Sequence, residues 1–187
     1  MHKSLKASAW ILGACALVVA AICAHFRDNI RGYYRFKTLC EADGGLRVLH
    51  PLKKNAGWLV RKGDYSMAAS KYVAFVRYVD GSPHDVHYRS GLLSDENSYV
   101  VTPANVDIPV IYELRSIEER LPNEARTSRS GYEVWEIATQ TLMVRWYKIG
   151  YSTFDQNRTL LAAPSGQACY PDEQFYAPEN HSKYFAD

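Results

Sequence analysis

The hydrophobic pattern of the chain falls into three stretches of different period. The first is an unbroken apolar run from Ala7 to Phe26, ASAWILGACALVVAAICAHF, which contains no Asp, Glu, Lys or Arg. About 20 residues rising 1.5 Å each reach about 30 Å, the thickness of a bilayer's hydrocarbon core, so this run predicts a transmembrane helix. The second stretch keeps a helical period. Phe26, Ile30, Tyr33 and Tyr34 recur at helical spacing, and Arg27, Arg31 and Arg35, four apart, share a second stripe. Together they predict a juxtamembrane helix over 27–43. Gly44-Gly45 ends it, because glycine accepts the left-handed backbone that terminates helices.

From Leu46 onward the pattern changes to short extended runs. Leu46 to Leu49 and Trp58 to Val60 read as strands, separated by Pro51 and Asn55-Ala56-Gly57. Tyr72 to Val79 is rich in β-branched and aromatic residues and stops at the turn Asp80-Gly81-Ser82-Pro83, with Val86 to Arg89 as its returning partner. A loop-like SGLLSDENS follows, and Pro103 and Pro109 make this middle region an edge or a connection. Val110 to Arg120 fits a strand or a short helix equally well. The strongest local signal is a β-hairpin from Gly131–Ile137 and Leu142–Ile149, joined by the polar link Ala138 to Thr141. Tyr132, Val134 and Glu136 share one face, and Glu133, Trp135 and Ile137 the other. Neither face is purely apolar, which suits an antiparallel sheet partly open to solvent.

The expected architecture is therefore α+β: a short cytoplasmic N-terminus (1–6), a transmembrane helix (7–26), a juxtamembrane helix (27–43), a small, mainly antiparallel β domain outside the cytoplasm (44–170), and a polar, proline-broken, mobile tail (171–187). Roughly 140 residues beyond the span suit one domain with one core. Aromatics make up 13% of the chain and 14 of them are tyrosines, a residue that favours half-buried strand positions. A net charge of +2 is too balanced for a nucleic-acid surface, so no nucleic-acid partner is expected.

Cys15 and Cys23 lie inside the apolar run, where a small hydrophobic role suffices, while Cys40 and Cys169 flank the β domain. In an oxidising compartment one Cys40–Cys169 bridge is the simplest reading, closing a loop of about 130 residues and worth roughly 5 kcal/mol in the chain-entropy model. In a reducing compartment the two would be buried thiols. A cleaved signal peptide, cut after Ala20 or Ala24, or a lipoprotein signal at Leu12-Gly13-Ala14-Cys15, uses a similar basic start and apolar middle. The length of the run, and its passage into a helical pattern without a polar break, favour a retained span. Lys3 and Lys6 on one side are matched by Arg27, Arg31, Arg35 and Lys37 on the other, so charge hardly orients it. The C-terminal domain is placed outside because long domains translocate largely regardless of charge and because the cysteine pair belongs there. Trp10 and the Arg27, Arg31 and Arg35 stripe are the expected membrane-interface residues, the arginines facing anionic headgroups, an acidic partner or solvent.

The anchor followed by CEADGGLRV at Cys40–Val48, RSGYEVWEIATQT at Arg129–Thr141 with an aromatic strand after it, and Gly-Gln-Ala-Cys at Gly166–Cys169 resembles uncharacterised bacterial single-pass membrane-anchored proteins. The resemblance implies a bacterial envelope, with the domain in the periplasm, and no particular activity.

Candidate chemistry is sparse. His84-Asp85-Val86-His87 is the one cluster of possible metal ligands, but histidines three apart on a strand point to opposite faces, and His50, His181 or a further carboxylate would have to complete a site from afar. No Gly-x-Ser-x-Gly elbow, Cys-x-x-Cys pair or glycine-rich phosphate loop is present, and no cofactor is implied. The charged run Glu113 to Arg120 reads as a solvated face, as does Arg126 to Arg129, where opposite charges across a hairpin would add modest stability. Asn157-Arg158-Thr159 and Asn180-His181-Ser182 match the glycosylation pattern by chance in a bacterial chain. The expected function is that of a membrane-anchored, periplasm-facing binding or accessory protein, with the lipid bilayer and an envelope protein as partners. The rivals are a membrane-tethered metal-dependent hydrolase using His84, Asp85 and His87, and a protective or inhibitory partner of a toxin or envelope enzyme.

Overall fold

The computed structural model describes residues 2–25, 27–61, 71–89, 98–122, 124, 126–152, 166–169 and 183–185; the side chains at 2–9, 11, 28 and 29 lie outside this description. Two helices, α1 (His2–His25) and α2 (Arg27–Asp43), precede nine strands: β1 (Gly45–Val48), β2 (Ala56–Val60), β3 (Val73–Tyr78), β4 (His84–Tyr88), β5 (Tyr99–Pro103), β6 (Val110–Arg120), β7 (Thr127–Glu136), β8 (Thr141–Tyr151) and β9 (Gln167–Ala168). All nine belong to one sheet ordered β1-β8-β7-β6-β2-β3-β4-β5, with β9 also paired to β8. The α+β class, strands β1 to β4 and the β7–β8 hairpin match the sequence reading, while β9 is unexpected. The expected SGLLSDENS loop falls almost wholly outside the described residues, as do both glycosylation matches.

The sheet is mainly antiparallel, as expected, and mixed only at its centre, because β2 pairs in parallel with β3 on one side and with β6 on the other. Every residue of β2 is buried, as befits a central strand covered on both faces, and such a strand carries no alternation to reveal its neighbours. Two antiparallel meanders flank it, β3-β4-β5 on one side and β6-β7-β8 on the other. β5, with Pro103 at its end, forms the expected edge. The undecided segment 110–120 is a strand because it is hydrogen-bonded along both sides.

The sheet separates its side chains into two unlike faces. Trp58 and Val60 of β2, Val76 and Tyr78 of β3, Tyr112 and Leu114 of β6, Val134 and Val144 all belong to one apolar core. Leu52, Tyr184 and Phe185 complete it. The Leu52 N–H donates to the Tyr184 carbonyl at 2.7 Å, and Phe185 stacks on Tyr72 with ring centroids 5.2 Å apart. This corrects the expectation for the tail: residues 171–182 and 186–187 lie outside the description, but Tyr184 and Phe185 are 2% and 7% exposed. Two adjacent aromatics bury enough apolar area to dock a segment whose average composition is polar.

On the opposite face α2 lies across β8. Phe36 and Leu39 pack with Tyr147, Ile149 and Tyr151, and Phe36 stacks on Tyr151 at 5.8 Å. The helix comes this close because position 32 is glycine: a Cβ there would stand 2.6 Å from the Tyr151 hydroxyl. It ends as expected, with the Gly44 N–H donating to the Cys40 carbonyl at 3.0 Å and Gly45 at φ +85°. By contrast α1 is exposed at Trp10 and at every position from 12 to 25. Among the described residues no single helix is long and apolar enough to cross a membrane; Leu12–His25 and Ile30–Asp43, bent by 55° to each other, pass together on length and composition.

Replacing Gly32 by Ala is expected to overpack the α2–β8 contact and destabilise the domain by about 1–3 kcal/mol in denaturant unfolding. Gly13→Ala, where nothing lies within 4 Å, should leave the same midpoint within about 0.5 kcal/mol.

Candidate functional site

Three features carry chemistry: the junction of α2 with the sheet, the charged face of the sheet, and the exposed helix α1. The junction is locked by the Cys40–Cys169 disulfide, with Cα atoms 6.0 Å apart and 129 residues between them in sequence. It ties the last turn of α2 to the segment after β9, and the Cys169 N–H donates to the Ile149 carbonyl at 3.0 Å. The sequence pairing of these two cysteines is therefore met. A broad cleft of about 570 Å³ opens beside the bridge, between Phe36, Lys37, Cys40 and Glu41 of α2 and residues 166–169.

Arg35 departs from its expected role. It donates to Glu124 at 2.7 Å and so fastens α2 to the sheet's β6–β7 connection instead of continuing the outward arginine stripe. Arg27 and Arg31 are exposed, as are Trp10, Ile30 and Tyr34. The stripe thus divides into two outward arginines and one that is bound to the domain.

Alternation within the strands puts the charged residues on the α2 side of the sheet. In β3 and β4, Arg77 and Asp85 are register partners, 8% and 2% exposed. Arg77 donates to the two Asp85 oxygens at 2.8 and 2.9 Å, and the Asn105 N–H adds a third bond at 3.0 Å. Arg77 also donates to the Asn105 and Ile108 carbonyls, pinning the β5–β6 connection. Burial opposes ionisation of Asp85, but the Arg77 and Asn105 hydrogen bonds outweigh it and hold the carboxyl below its ordinary 3.8. The Asp85 bond likewise holds Arg77 above its usual value.

The row continues across β2, β6, β7 and β8. Glu113, expected on a solvated face, is 5% exposed and accepts bonds from Arg61 at 2.6 Å and Arg115 at 2.7 Å. Burial works against its charge and the two guanidinium groups overcome it, so its carboxyl also lies below the ordinary value. Arg115 stacks over Trp135 at 4.9 Å, and Trp135 donates to Glu133 at 2.8 Å. Glu133 in turn accepts from the Tyr147 hydroxyl, whose ring has Arg129 at 4.5 Å and Arg145 at 5.1 Å from its centroid. Burial and the Glu133 bond push Tyr147 up to about 12. Arg129 closes the row on Glu119, the opposite-charge pair expected across the hairpin, and Arg145 reaches Asp43 at the end of α2 at 3.1 Å.

This arrangement holds charge in place. Asp85 and Glu113 stay ionised and Tyr147 stays protonated throughout the neutral range, whereas a catalytic acid or base needs a pKa near the working pH. The proposed metal cluster does not converge. The His84 ring stacks on Tyr78 at 5.3 Å, His87 lies 6.0 Å from the Phe75 ring with Nε2 3.4 Å from the Thr102 hydroxyl, and Asp85 is committed to Arg77. His50 is exposed on the β1–β2 connection, and His181 falls outside the described residues. Among the described residues no group of three or more His, Cys, Asp or Glu side chains is placed to hold a metal ion. Sequence reasoning missed Glu133, Arg145 and Tyr147. It had one clear signal for the row: an arginine at 77 inside an apolar strand, eight residues before an aspartate across a turn.

Comparisons with protein-family models, with curated proteins and with solved structures find no match to this chain.

Replacing Asp85 by Ala strands a buried guanidinium and is expected to cost about 3–5 kcal/mol of stability, whereas Glu119→Ala, at a more exposed pair, should cost under about 1 kcal/mol. The native carboxyls of Asp85 and Glu113 lie below their ordinary values of 3.8 and 4.5. Their contribution is therefore complete above those values and lost as pH falls through the lower native ones. Tyr147 acts at the other end: raised from 10.0 to about 12, it contributes fully below pH 10 and ceases to as pH rises through 12. Urea midpoints measured against pH should show both flanks, and Asp85→Ala should flatten the acid one.

Proposed function

We propose that this chain is a single-pass protein of the bacterial inner membrane, whose β domain faces the periplasm and acts by binding, as an interaction or accessory subunit. The observation that carries the reading is α1, an apolar helix that stands exposed among the described residues. Trp10 is 82% exposed, Leu12 71%, Leu17 73%, Val18 59%, Val19 58% and Ile22 53%. Burying six such side chains is worth on the order of 10 kcal/mol, comparable to the stability of a whole domain. A bilayer supplies that burial; the described part of α1 is short for a span by itself, and it is the sequence run from Ala7 to Phe26, about 30 Å as a helix, that supports one.

Two further observations support the orientation and the role. The bridge that fixes α2 to the sheet belongs in an oxidising compartment, which in a bacterium is the periplasm. The charged groups of the row on the α2 side of the sheet are engaged with one another, which suits a structural and binding role better than a hydrolytic centre. No observation favours the metal-dependent hydrolase. Protection or inhibition of a toxin or envelope enzyme is one form that such binding takes.

Spheroplasts of a producing strain provide the test. The chain should stay in the pellet after alkaline carbonate extraction, and protease added outside should digest the β domain. Cys40 and Cys169 should resist alkylation until a reductant is added. A chain released by carbonate, or a protected domain with both thiols alkylated at once, would overturn the reading. Leu17→Arg combined with Val18→Arg should abolish membrane retention, since each arginine at the centre of a span costs about 3 kcal/mol.

A further inference from the structure

The outward side of α2 is set by what its inward side does. Gly32, Phe36, Leu39 and Cys40 face the sheet, so at about 100° per residue the opposite stripe begins Arg27, Ile30, Arg31, Tyr34. All four are exposed, with Ile30 at 44% and Tyr34 at 65%. Among the described residues neither Arg27 nor Arg31 has a hydrogen bond or ion pair, whereas Arg35, one turn on and round the helix, is held by Glu124. The stripe thus mixes two exposed guanidinium groups with an aliphatic and a phenolic side chain. That mixture suits the boundary between headgroups and water, where arginine stems lie along apolar surface and tyrosine keeps its hydroxyl wet.

Geometry places the stripe at that depth. From Arg27 to Tyr34 the helix advances about 10 Å along its own axis. The 55° bend between the two helical segments reduces this to about 6 Å along the membrane normal when α1 stands upright. That distance stays within the headgroup layer, which is about 5–8 Å thick on each side. A straight continuation of α1 would instead carry Tyr34 clear of it.

We infer that the stripe Arg27, Ile30, Arg31 and Tyr34 is a docking surface for the anionic phospholipid headgroups of the bilayer that α1 crosses. The inference rests on the anchored reading above and names the second partner of that anchor. Each arginine at a negatively charged lipid surface favours contact by about fivefold, and the tether presents both without a further search. Because Arg35 and the disulfide fix α2 to the sheet, lipid contact along this stripe also sets the height and tilt of the whole β domain.

The test uses the full chain with Cys15→Ser, Cys23→Ser and Tyr34→Cys, the native bridge kept, and a bimane fluorophore on position 34. It is placed in nanodiscs of phosphatidylcholine alone or of phosphatidylcholine with phosphatidylglycerol. The same label on Lys53→Cys, an exposed site in the β domain, serves as reference. Quenching by acrylamide at position 34, relative to 53, should fall by at least about threefold when phosphatidylglycerol is present. Arg27→Gln with Arg31→Gln should return most of it, and so should high salt. Equal quenching in both lipids, with the chain retained in the discs, would overturn the docking and leave the anchor standing. Failure to co-purify with phosphatidylcholine discs would overturn the anchor itself. Protection of position 34 that appears only in native membranes and follows a cross-linked protein would also overturn the inference, assigning the stripe to a protein partner. Since the arginine variant alters two exposed positions, an unchanged thermal midpoint confirms that it is folded.

Discussion

The contact between α2 and β8 is the constraint on which the rest of the architecture depends. One side of a helix, opened by Gly32 and filled by Phe36 and Leu39, rests on Tyr147, Ile149 and Tyr151. The same short region carries the Arg35–Glu124 pair, the Arg145–Asp43 contact and the Cys40–Cys169 bridge. Apolar burial supplies most of the energy, since exposed ion pairs are worth under about 1 kcal/mol each. The polar contacts and the bridge set the direction. A helix held only by apolar packing can slide or rotate in its groove, whereas one held near its middle by Glu124 and at its end by a covalent bond has a single register. Everything beyond Asp43 inherits that register, because β1 follows at once and pairs with β8 beside the helix.

The charged row on this face is affordable for a related reason. Taking a carboxylate out of water costs several kcal/mol, and one opposing charge repays that only with good geometry and further hydrogen bonds. Asp85 has both, since Arg77 engages its two oxygens and a backbone N–H adds a third bond. Glu113 has two guanidinium donors. Glu133 instead accepts from two neutral donors, Trp135 and Tyr147, with arginines stacked on both of those rings. The register sets Arg77 opposite Asp85 and Tyr147 diagonal to Glu133, while Arg115 and Trp135 stand two residues along the same strand from the carboxylates they meet, so the strands fix the geometry before the charges meet. Such a row contributes a unique pairing register more than net stability, because sliding any strand by one residue would turn its ions toward the apolar core.

Much of this was readable from the sequence and some of it was not, for identifiable reasons. The β3–β4 pair, the hairpin at 131–149 and the helix stop at Gly44-Gly45 are written locally, in alternation, in turn residues and in glycine, whereas β6 became a strand only through its neighbours on both sides. The Cys40–Cys169 pairing was legible as well, because the other two cysteines lie in the apolar run. The parallel neighbours of β2 were not legible, since pairing across a crossover leaves no local mark and a strand buried on both faces loses its alternation. Glu113 looked solvated because a charged run averages its members. Its burial follows from Arg61 and Arg115, which the fold delivers from just past the end of β2 and from two residues along the same strand. The docking of Tyr184 and Phe185 was hidden in the same way, by polar neighbours that diluted two aromatics. Arg35 shared a stripe with Arg27 and Arg31 but not their surroundings, because a helix resting on a sheet along one side tilts its flanking positions toward that sheet.

These features bear on what the proposed anchor would accomplish. A domain joined to a membrane by a flexible linker explores a volume, and its partners meet it at an effective concentration set by linker length. Here the segment between the apolar run and the sheet is a helix fastened along one side, and β1 begins two residues after it ends. On the anchored reading little chain is left to act as a hinge beyond α2, and the domain is held at one height and one orientation over the bilayer. Holding it so removes orientational freedom before any partner arrives, and that is freedom a binding event would otherwise have to remove. The bridge extends the argument, because reducing it would release the end of α2 and return that freedom. A rigid mount has little value to a protein that acts on diffusing small molecules. It would matter to one whose partner is fixed in the same membrane, which is the kind of binding the proposed anchor suits.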